Sequence, residues 1–205
     1  MIVAIEGIDG AGKNTLVQAL REQVDAEYLA FPRYEDSVHA KLAQAALYGR
    51  MGDLSDSIYG MATLFALDRL GAREQLEQAA QSSEILLLDR YVASNAAYSV
   101  ARAQDPSLAQ WVADLEFGQF ELPRPTLQVL LGTDVALAAQ RAAAREIHDA
   151  SRVRDQYESD SGLQLRTAEA YANLAQQQWY SPWMVVDPAQ QPSAVATAVL
   201  QALGR

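Results

Sequence analysis

Three glycines and a lysine lie close together near the start of the sequence, and their spacing is typical of a phosphate-binding loop. Gly7, Gly12 and Lys13 fit the pattern G-x-x-x-x-G-K. In such a loop the glycines let backbone N–H groups point at an anion, and the helix that follows adds the positive end of its dipole. The lysine reaches the β- and γ-phosphates of a nucleoside triphosphate. We therefore predict a triphosphate site formed by Gly7, Gly10, Ala11, Gly12, Lys13, Asn14 and Thr15.

One position departs from that pattern. The residue after the lysine is usually Ser or Thr, whose hydroxyl binds Mg²⁺, but here it is Asn14, with Thr15 one place later. We therefore expect more of the metal coordination to come from carboxylates such as Asp9. A glycine-rich turn between strand and helix, without a ligand, is the alternative. The combination of strand, glycines, lysine and helix in register favours the phosphate site.

A second group of polar residues follows an apolar run at Glu84–Asp89, which ends in Asp89 and continues with Arg90. P-loop proteins usually present a second carboxylate to Mg²⁺ from the end of a strand. The sequence therefore indicates that Asp89 and Arg90 belong to the same site as the glycine loop. The alternative is that Asp89 caps the next helix and Arg90 is a surface charge.

A third segment is rich in arginine. Arg141 and Arg145 lie one helical turn apart, and Arg152 and Arg154 follow. Positive charge in a connector of an acidic protein predicts a lid, at about residues 141–155, that closes over a polyphosphate. Charge spacing alone leaves open the alternative of a solvated helix face paired with acidic neighbours.

Five short apolar runs are predicted to be buried parallel strands that position these residues. The runs are Ile2–Glu6, Glu27–Phe31, Glu84–Asp89, Thr126–Leu131 and Trp183–Asp187. Longer helical patterns separate them, which is typical of an α/β protein with helices on both faces of its sheet. Ligands of such sheets bind at the carboxyl ends of the strands, and the polar groups described above follow those ends.

The helical patterns between the strands are less specific. Two of them, Asp36–Leu47 and Ser57–Ala80, are joined by a turn at Gly49–Asp53, and two more, Asp134–Ala144 and Ser161–Gln178, bracket the arginine-rich segment. A stripe of apolar residues at helical spacing predicts either core or a subunit interface. The stripe consists of Leu108, Trp111, Val112 and Leu115.

Composition excludes several classes of protein. The 205 residues, half of them apolar, suit a single domain over residues 1–205. A net charge of -10 argues against binding of nucleic-acid polymers, which require a basic face. No cysteine is present, which excludes disulfides and thiol chemistry. No apolar run approaches the roughly 20 residues needed to span a bilayer, and no leader precedes the first strand, so we expect a soluble cytoplasmic protein without membrane partners.

Four motifs occur in order along nearly the whole chain. They are EGIDGAGK at Glu6–Lys13, FPRY at Phe31–Tyr34, LFALDR at Leu64–Arg69 and DRYVASNAAY at Asp89–Tyr98. Together they resemble the bacterial thymidylate kinases, which are P-loop nucleoside monophosphate kinases, and most closely the actinobacterial form. The resemblance implies a P-loop NTPase fold with a five-stranded parallel sheet and a short arginine-bearing lid. It also implies a homodimer and Mg²⁺-dependent transfer of the γ-phosphoryl group of ATP to dTMP, giving dTDP and ADP for dTTP synthesis.

The resemblance assigns roles around the nucleoside of dTMP. Phe65 would stack on thymine, although its spacing alone fits an ordinary core position equally well. Arg69 would hydrogen-bond a base carbonyl and Asn95 the polar edge of the base, while Pro32 would border the pocket for the 5-methyl group. Tyr98 would crowd the 2′ position of the sugar and so favour deoxyribose.

The resemblance also assigns the phosphate side of the acceptor. Arg90 would hold the monophosphate, with Tyr34 nearby, and Tyr157 and Glu158 match a pair that lines this site. Asp9 would lie near the 3′-hydroxyl and the metal. The full set implied for dTMP is Asp9, Phe31, Pro32, Arg33, Tyr34, Phe65, Arg69, Arg90, Ser94, Asn95, Tyr98 and Tyr157.

The reaction requires no general base, because the acceptor phosphate is already largely dianionic at neutral pH. Arg145 matches a lid arginine placed near the transferred group, and Arg141 and Arg152 match other basic lid positions on the ATP side. The implied catalytic set is Asp9, Lys13, Arg90 and Arg145, and the implied metal ligands are Asp9 and Glu158. The alternatives are a P-loop kinase for another nucleotide or nucleoside, such as dUMP, CMP or thymidine, and a nucleotide-binding switch without transfer activity.

Overall fold

The computed structural model describes residues 1–133, 135–140 and 156–205, without the side chains of Glu158 and Ser159. Arg141, Arg145, Arg152 and the predicted lid lie outside the described residues, as does the side chain of Glu158.

Five parallel strands form one sheet in the order β2-β3-β1-β4-β5. The strands are β1 Ile2–Glu6, β2 Ala26–Ala30, β3 Ile85–Asp89, β4 Leu127–Leu131 and β5 Trp183–Val186. The central strand is β1, in which Ile5 lies beside Asp89 of β3 and Val129 of β4. The predicted five-stranded parallel sheet is therefore confirmed, with strand ends displaced by single residues. Pairing continues just beyond β2, since the backbone N–H of Phe31 donates to the Asp89 carbonyl at 3.0 Å.

Helices cover both faces of the sheet. They are α1 Lys13–Arg21, α2 Val38–Leu47, α3 Ile58–Leu70, α4 Arg73–Gln81, α5 Val92–Ala103, α6 Ser107–Ala113, α7 at residues 135–140, α8 Gln156–Ser159, α9 Ser161–Gln176 and α10 Pro192–Ala202. A 3₁₀ helix, Leu54–Asp56, precedes α3, and a π-helical segment, Asp114–Gln119, follows α6. None of the helices in the described ranges is long and apolar enough to cross a membrane.

Alternation along β1 divides the core into two layers. Val3 and Ile5 pack with α1 and α10 on one face, whereas Ile2 and Ala4 face the side covered by α5, α6 and α9. Both sets are fully buried, which explains why the strand is a continuous apolar run instead of an alternating one. The sheet therefore presents only its carboxyl edge, where β1 and β3 end, to ligands.

The helix predicted over Ser57–Ala80 is wrong in one respect, because the structure has two helices there. The break lies after α3, at Gly71. A Cβ atom on Gly71 would come within 2.7 Å of a guanidinium nitrogen of Arg33, which arrives from the loop after β2. Glycine leaves room here for the Arg33 side chain, and that contact involves a distant residue that helical periodicity does not register.

The apolar stripe after α5 is only partly core. Leu108 and Val112 are buried, whereas Trp111 and Leu115 keep part of their surface exposed. The Trp111 ring contacts Tyr59 of α3 edge-on at 4.8 Å, and Tyr59 itself is 53% exposed. The core prediction is confirmed for two of the four residues, and the subunit interface stays a prediction.

Candidate active site

The loop after β1 closes around the side chain of Lys13, the first residue of α1. Lys13 Nζ donates to the carbonyls of Gly7, at 3.4 Å, and Ile8, at 3.3 Å, and the residue is only 9% exposed. Gly10 and Gly12 have φ values of 84° and 99°, which glycine adopts without strain. The loop thus has the backbone of an anion cradle with a cation beneath it.

Burial is the largest influence on Lys13 and lowers its pKa. The positive charge of Arg90 lowers it further, while the carboxylates of Asp89 and Asp9 oppose both effects. Two cations held this close repel each other, and an anionic ligand between them relieves that repulsion. Asn14 and Thr15 are exposed in the first turn of α1, where they remain accessible to a ligand.

The outer side of the loop is packed by the connection that follows β4. Thr133 Oγ1 donates to the Ala11 carbonyl at 3.0 Å. A Cβ atom on Gly10 would overlap the carbonyl of Ala138 in α7. The helix that leads toward the arginine-rich segment therefore lies directly against the phosphate loop.

Asp9 and Arg90 form an ion pair at the carboxyl edge of the sheet. Arg90 follows β3 with a φ of 68°, and its backbone N–H donates to the Ile5 carbonyl at 3.0 Å. Its guanidinium donates to one carboxylate oxygen of Asp9, and the Tyr98 hydroxyl donates to the other at 2.8 Å. Burial alone raises the pKa of Asp9, but the charges of Arg90 and Lys13 outweigh it and bring the pKa to about 2. Asp9 is therefore ionised at neutral pH.

Glu6 accepts hydrogen bonds from residues around Arg90 and so holds them in place, a role that was not predicted from the sequence. The residue is fully buried at the end of β1, and its Oε1 accepts from the Tyr91 N–H at 2.9 Å. Its Oε2 accepts from Ser94 Oγ at 2.6 Å and from the Tyr171 hydroxyl at 3.0 Å. Both hydroxyls also accept from Arg90 Nη1, at 3.2 and 3.4 Å. A carboxylate that ends an otherwise apolar buried strand was the available signal.

Burial raises the pKa of Glu6, although hydrogen bonds from Ser94 and the charge of Arg90 act in the opposite direction. Burial lowers the pKa of Arg90, but Asp9, Tyr98, Tyr171 and Asp89 together outweigh burial and hold the pKa of the guanidinium well above its ordinary value. Arg90 is thus a permanent cation with a fixed orientation, as binding of a phosphate would require.

A second buried ion pair lies behind the position predicted for the base. Arg69, in α3, donates from Nε and Nη2 to the two carboxylate oxygens of Glu116 at 2.5 and 2.7 Å. Asn95, in α5, donates from Nδ2 to Glu116 Oε1 at 2.8 Å and to the Ala62 carbonyl at 3.0 Å. We call Arg69, Asn95 and Glu116 the Glu116 cluster. Arg69 and Asn95 were predicted from the sequence, whereas Glu116, which lies 47 positions after Arg69, was not.

The predicted aromatic residues meet in a third apolar cluster. Phe65 and Tyr98 are partly buried and both pack against it, and Tyr157 is one of its buried members. The rings of Tyr98 and Tyr157 are stacked, with centroids 6.1 Å apart and planes 15° apart. The guanidinium carbon of Arg102 lies 4.7 Å from the centroid of the Tyr157 ring. Phe65 is thus half open beside this wall of aromatic rings, as a stacking surface requires.

The FPRY segment is fixed mainly through its arginine. The Phe31–Pro32 peptide bond is cis, and Phe31 is 4% exposed, with its ring 6.2 Å from that of Tyr91. Arg33 is paired with the buried Asp68 of α3, which accepts from the Arg33 N–H at 2.9 Å and from its Nε at 3.0 Å. Arg33 therefore ties the loop to α3, and a direct contact with a ligand stays a prediction for Phe31 and Arg33.

Carboxylate oxygens suitable for Mg²⁺ occur beside the phosphate loop. Asp89 Oδ1 is buried and lacks a hydrogen-bond partner in the part of the chain that the structure describes. Asp89 also interacts electrostatically with Lys13. Oxygen donors of this kind fit Mg²⁺, which binds proteins through one or two carboxylates and takes its other ligands from water and phosphate. A group of three or more His, Cys, Asp or Glu residues that could hold a metal by itself does not occur among the described residues.

A parallel sheet whose central strand enters a phosphate loop, with an acid and an arginine at the end of the neighbouring strand, defines the P-loop NTPase fold. The family model for thymidylate kinase matches residues 5–198. The chain therefore belongs to the thymidylate kinase family, and it is by that membership a kinase that phosphorylates dTMP.

Individual proteins similar to this chain are also thymidylate kinases or probable thymidylate kinases. A thymidylate kinase from Mycobacterium tuberculosis (strain H37Rv) is 46% identical over 207 residues, which is 97% of each chain. A probable thymidylate kinase from Pyrobaculum aerophilum is 27% identical over 99% of this chain and 96% of its own. Among solved structures, the thymidylate kinase of Candida albicans superposes with a TM-score of 0.77 at 19% identity, over 99% of this chain and 90% of that one. At that identity the superposition supports the fold alone.

Proposed function

We propose that this chain transfers the γ-phosphoryl group of ATP to dTMP at the sheet edge between Lys13 and Arg90. The observation that carries the proposal is that both cations follow neighbouring strands: Lys13 begins the helix after β1, and the backbone N–H of Arg90 donates to the Ile5 carbonyl of β1 at 3.0 Å. The two strands, β1 and β3, pair directly and therefore place both cations at one edge of the sheet. Two phosphates, one from each nucleotide, are the ligands that satisfy both charges.

In the proposed reaction, an oxygen of the dTMP phosphate attacks the γ-phosphorus of ATP. The attacking group is already an anion, so the protein has to align it and spread positive charge over the group in transfer. Lys13 and the loop amides act on the ATP side, and Arg90 acts on the acceptor side. Arg145, with Arg141 and Arg152, is proposed from the sequence to add charge over the γ-phosphate.

Mg²⁺ supplies neutralisation of phosphate charge when it is bound. The buried, unpartnered oxygen of Asp89 supports a role for that residue as a ligand. Asp9 is the second proposed ligand, because its low pKa keeps it ionised, and Glu158 is proposed from the family resemblance. Asn14 has no hydroxyl that could bind Mg²⁺, so these carboxylates are proposed to bind it instead.

The acceptor nucleoside is proposed to lie between the Glu116 cluster and the aromatic wall. Phe65 would stack on the base, and Tyr98 would limit space at the sugar 2′ position. The arrangement is supported by α3 and α5, which carry Phe65 with Arg69 and Asn95 with Tyr98, one pair on each helix.

The proposed assembly is a homodimer, and the proposed location is the cytoplasm, where ATP and nucleoside monophosphates are metabolised. The dimer is supported by the partly exposed Trp111 and Leu115 and by Tyr59, which together leave apolar surface beside α3 and α6.

An ADP-release assay with ATP, Mg²⁺ and a panel of acceptors tests the proposal. We expect turnover with dTMP and little with CMP or thymidine, loss of turnover in Lys13→Ala, and full activity in Lys41→Ala. Lys41 is the matched control because it is the only other lysine in the chain and is exposed on α2. Binding of ATP without formation of dTDP would overturn the proposal in favour of a switch, and preference for another acceptor would assign a different kinase.

A further inference from the structure

We propose that Glu116 determines which base the site accepts, by fixing the orientation of the Asn95 side-chain amide. The inference rests on the proposed function, in which Arg69 and Asn95 face the base. Glu116 itself is fully buried in the π-helical segment Asp114–Gln119. It is therefore a positioning residue that acts through its two partners.

The orientation of the amide follows from the chemistry of its neighbours. Asn95 Nδ2 lies 2.8 Å from Glu116 Oε1 and 3.0 Å from the Ala62 carbonyl. Both neighbours only accept hydrogen bonds, so both Nδ2 protons are used within the protein. Rotating the amide by 180° would break both hydrogen bonds and place Oδ1 against two acceptor oxygens, which repel it in a buried setting. Asn95 can therefore offer only Oδ1, an acceptor, to a ligand.

Arg69 supplies the opposite polarity. Its Nε and Nη2 are engaged by Glu116, and a guanidinium has further N–H donors and no acceptor. The attraction of Glu116 overcomes the effect of burial and raises the pKa of Arg69, so the donor face is permanent. The cluster thus offers one acceptor and one donor side by side.

This pair of groups selects among pyrimidines. Thymine and uracil carry an N3–H donor beside a carbonyl acceptor, which complement Asn95 Oδ1 and Arg69. Cytosine carries an unprotonated N3 beside an amino group, so it would meet an acceptor with an acceptor and donors with a donor. Sites that hold buried polar groups in fixed orientations discriminate strongly, because the wrong ligand leaves those groups unpaired.

A role for Glu116 solely as a counter-ion to Arg69 would explain fewer of the observed contacts. Replacing a buried ion pair with apolar residues often preserves stability, so the pairing of Arg69 alone gives weak reason for a buried Glu116. A counter-ion would also have no need to bind Asn95. In addition, Glu116 lies on a π-helical turn, a local irregularity that is frequent at functional sites. Glu116 is the one buried residue of that segment, whose other residues are partly or fully exposed.

The test compares Glu116→Gln with the control Glu77→Gln, which also removes the charge of a glutamate paired with an arginine but at an exposed position. The amide introduced by Glu116→Gln can donate to Asn95 Oδ1, so the Asn95 side chain is no longer fixed. For Glu116→Gln we expect kcat/KM for dTMP and for dUMP to fall by on the order of 10- to 100-fold. The value for dCMP should fall far less, and KM for ATP should stay within about twofold. Where dCMP turnover is below detection, its inhibition constant against dTMP replaces it.

Equal losses for dTMP, dUMP and dCMP would overturn the proposal and make Glu116 a structural residue. A wild-type enzyme that ignores dTMP would instead refute the proposed function, so the two failures are distinguishable. If the variant does not fold, side-chain amide NMR of the wild-type protein gives the answer. We expect slow solvent exchange of both Asn95 Nδ2 protons and little change in it when dTMP binds, whereas protection that appears only with dTMP would show that Nδ2 faces the ligand.

Discussion

Replacing Arg90 with glutamine should raise the pKa of Asp9 and weaken dTMP binding, while ATP binding is retained. The reason is that Arg90 interacts with a different anion in the free protein and in the complex. In the free protein it pairs with the Asp9 carboxylate, and in the complex it is proposed to hold the acceptor phosphate. Glutamine keeps the approximate length of the side chain but has no charge for either partner.

The magnitude follows from the pKa of Asp9, which is about 2 instead of 3.8. Each pKa unit corresponds to about 1.4 kcal/mol, so the attraction of Arg90 and Lys13, together with the hydrogen bonds from Tyr98 and Arg90, exceeds the cost of burial by about 2.5 kcal/mol. In Arg90→Gln the charge of Lys13 and the Tyr98 hydrogen bond still oppose burial, but the attraction of Arg90 is gone, and the pKa of Asp9 should return to its ordinary value or rise above it. Loss of a charged hydrogen bond to the phosphate, worth about 1.5–3 kcal/mol, should weaken dTMP binding by about 10- to 100-fold.

The lowered pKa of Asp9 also determines the direction in which the free energy of unfolding changes with pH. Because the pKa of Asp9 is lowered on folding, its carboxylate adds to the free energy of unfolding above its ordinary pKa of 3.8. That contribution is lost as the pH falls through about 2. In Arg90→Gln this acid-dependent loss should be absent or reversed.

Carboxyl ¹³C NMR titration measures the pKa directly, with the Asp9 signal assigned from its absence in Asp9→Asn. Isothermal titration calorimetry with dTMP and with an ATP analogue measures the two affinities. Arg73→Gln is the matched control, since Arg73 is paired with Glu77 and Glu121 at the exposed surface, far less buried than Arg90. An Asp9 pKa that stays near 2 in Arg90→Gln, or equal losses of dTMP and ATP affinity, would refute the reasoning.

Substitutions at three further positions test other parts of the site. Phe65→Ala should weaken dTMP binding by about 10- to 100-fold through loss of stacking, worth about 1–3 kcal/mol, and leave ATP binding unchanged. Calorimetry with both nucleotides measures the two affinities. A matching loss of ATP affinity would indicate damage to the fold. Tyr98→Ala should raise the kcat/KM of UMP relative to dUMP, because space opens at the 2′ position. Tyr98→Phe is the control, which should keep the discrimination while losing the 2.8 Å hydrogen bond to Asp9. An unchanged ratio of kcat/KM for UMP and dUMP in Tyr98→Ala would contradict the assignment. Arg145→Ala should lower kcat by on the order of 10³ if this residue stabilises the transferred group, and an unchanged kcat in steady-state assays would move that role to another arginine of residues 141–155.

Local sequence patterns were sufficient to predict the five-stranded sheet and the glycine loop at its edge. The glycine loop and the strand ending in Asp89 and Arg90 were predicted because turn chemistry and apolar periodicity act over a few residues. The helix break at Gly71 was not predicted, because the apolar pattern of residues 57–80 does not show where one helix ends and the next begins. The partial exposure of Trp111 likewise depends on how α6 lies against α3.

The sequence by itself determined the order of strands and helices, the phosphate loop and the candidate arginines, because each is encoded by neighbouring residues. Only the tertiary structure decided the partners of those residues. It brought Asp9 to Arg90, Glu6 to Tyr171 and Glu116 to Arg69, pairs that are 81, 165 and 47 positions apart. Buried charges need partners of opposite sign or complementary hydrogen-bonding groups, but sequence does not specify which distant residue will supply them. That choice is made by the packing of helices on a common sheet, which also fixes the orientation of each polar group in the site.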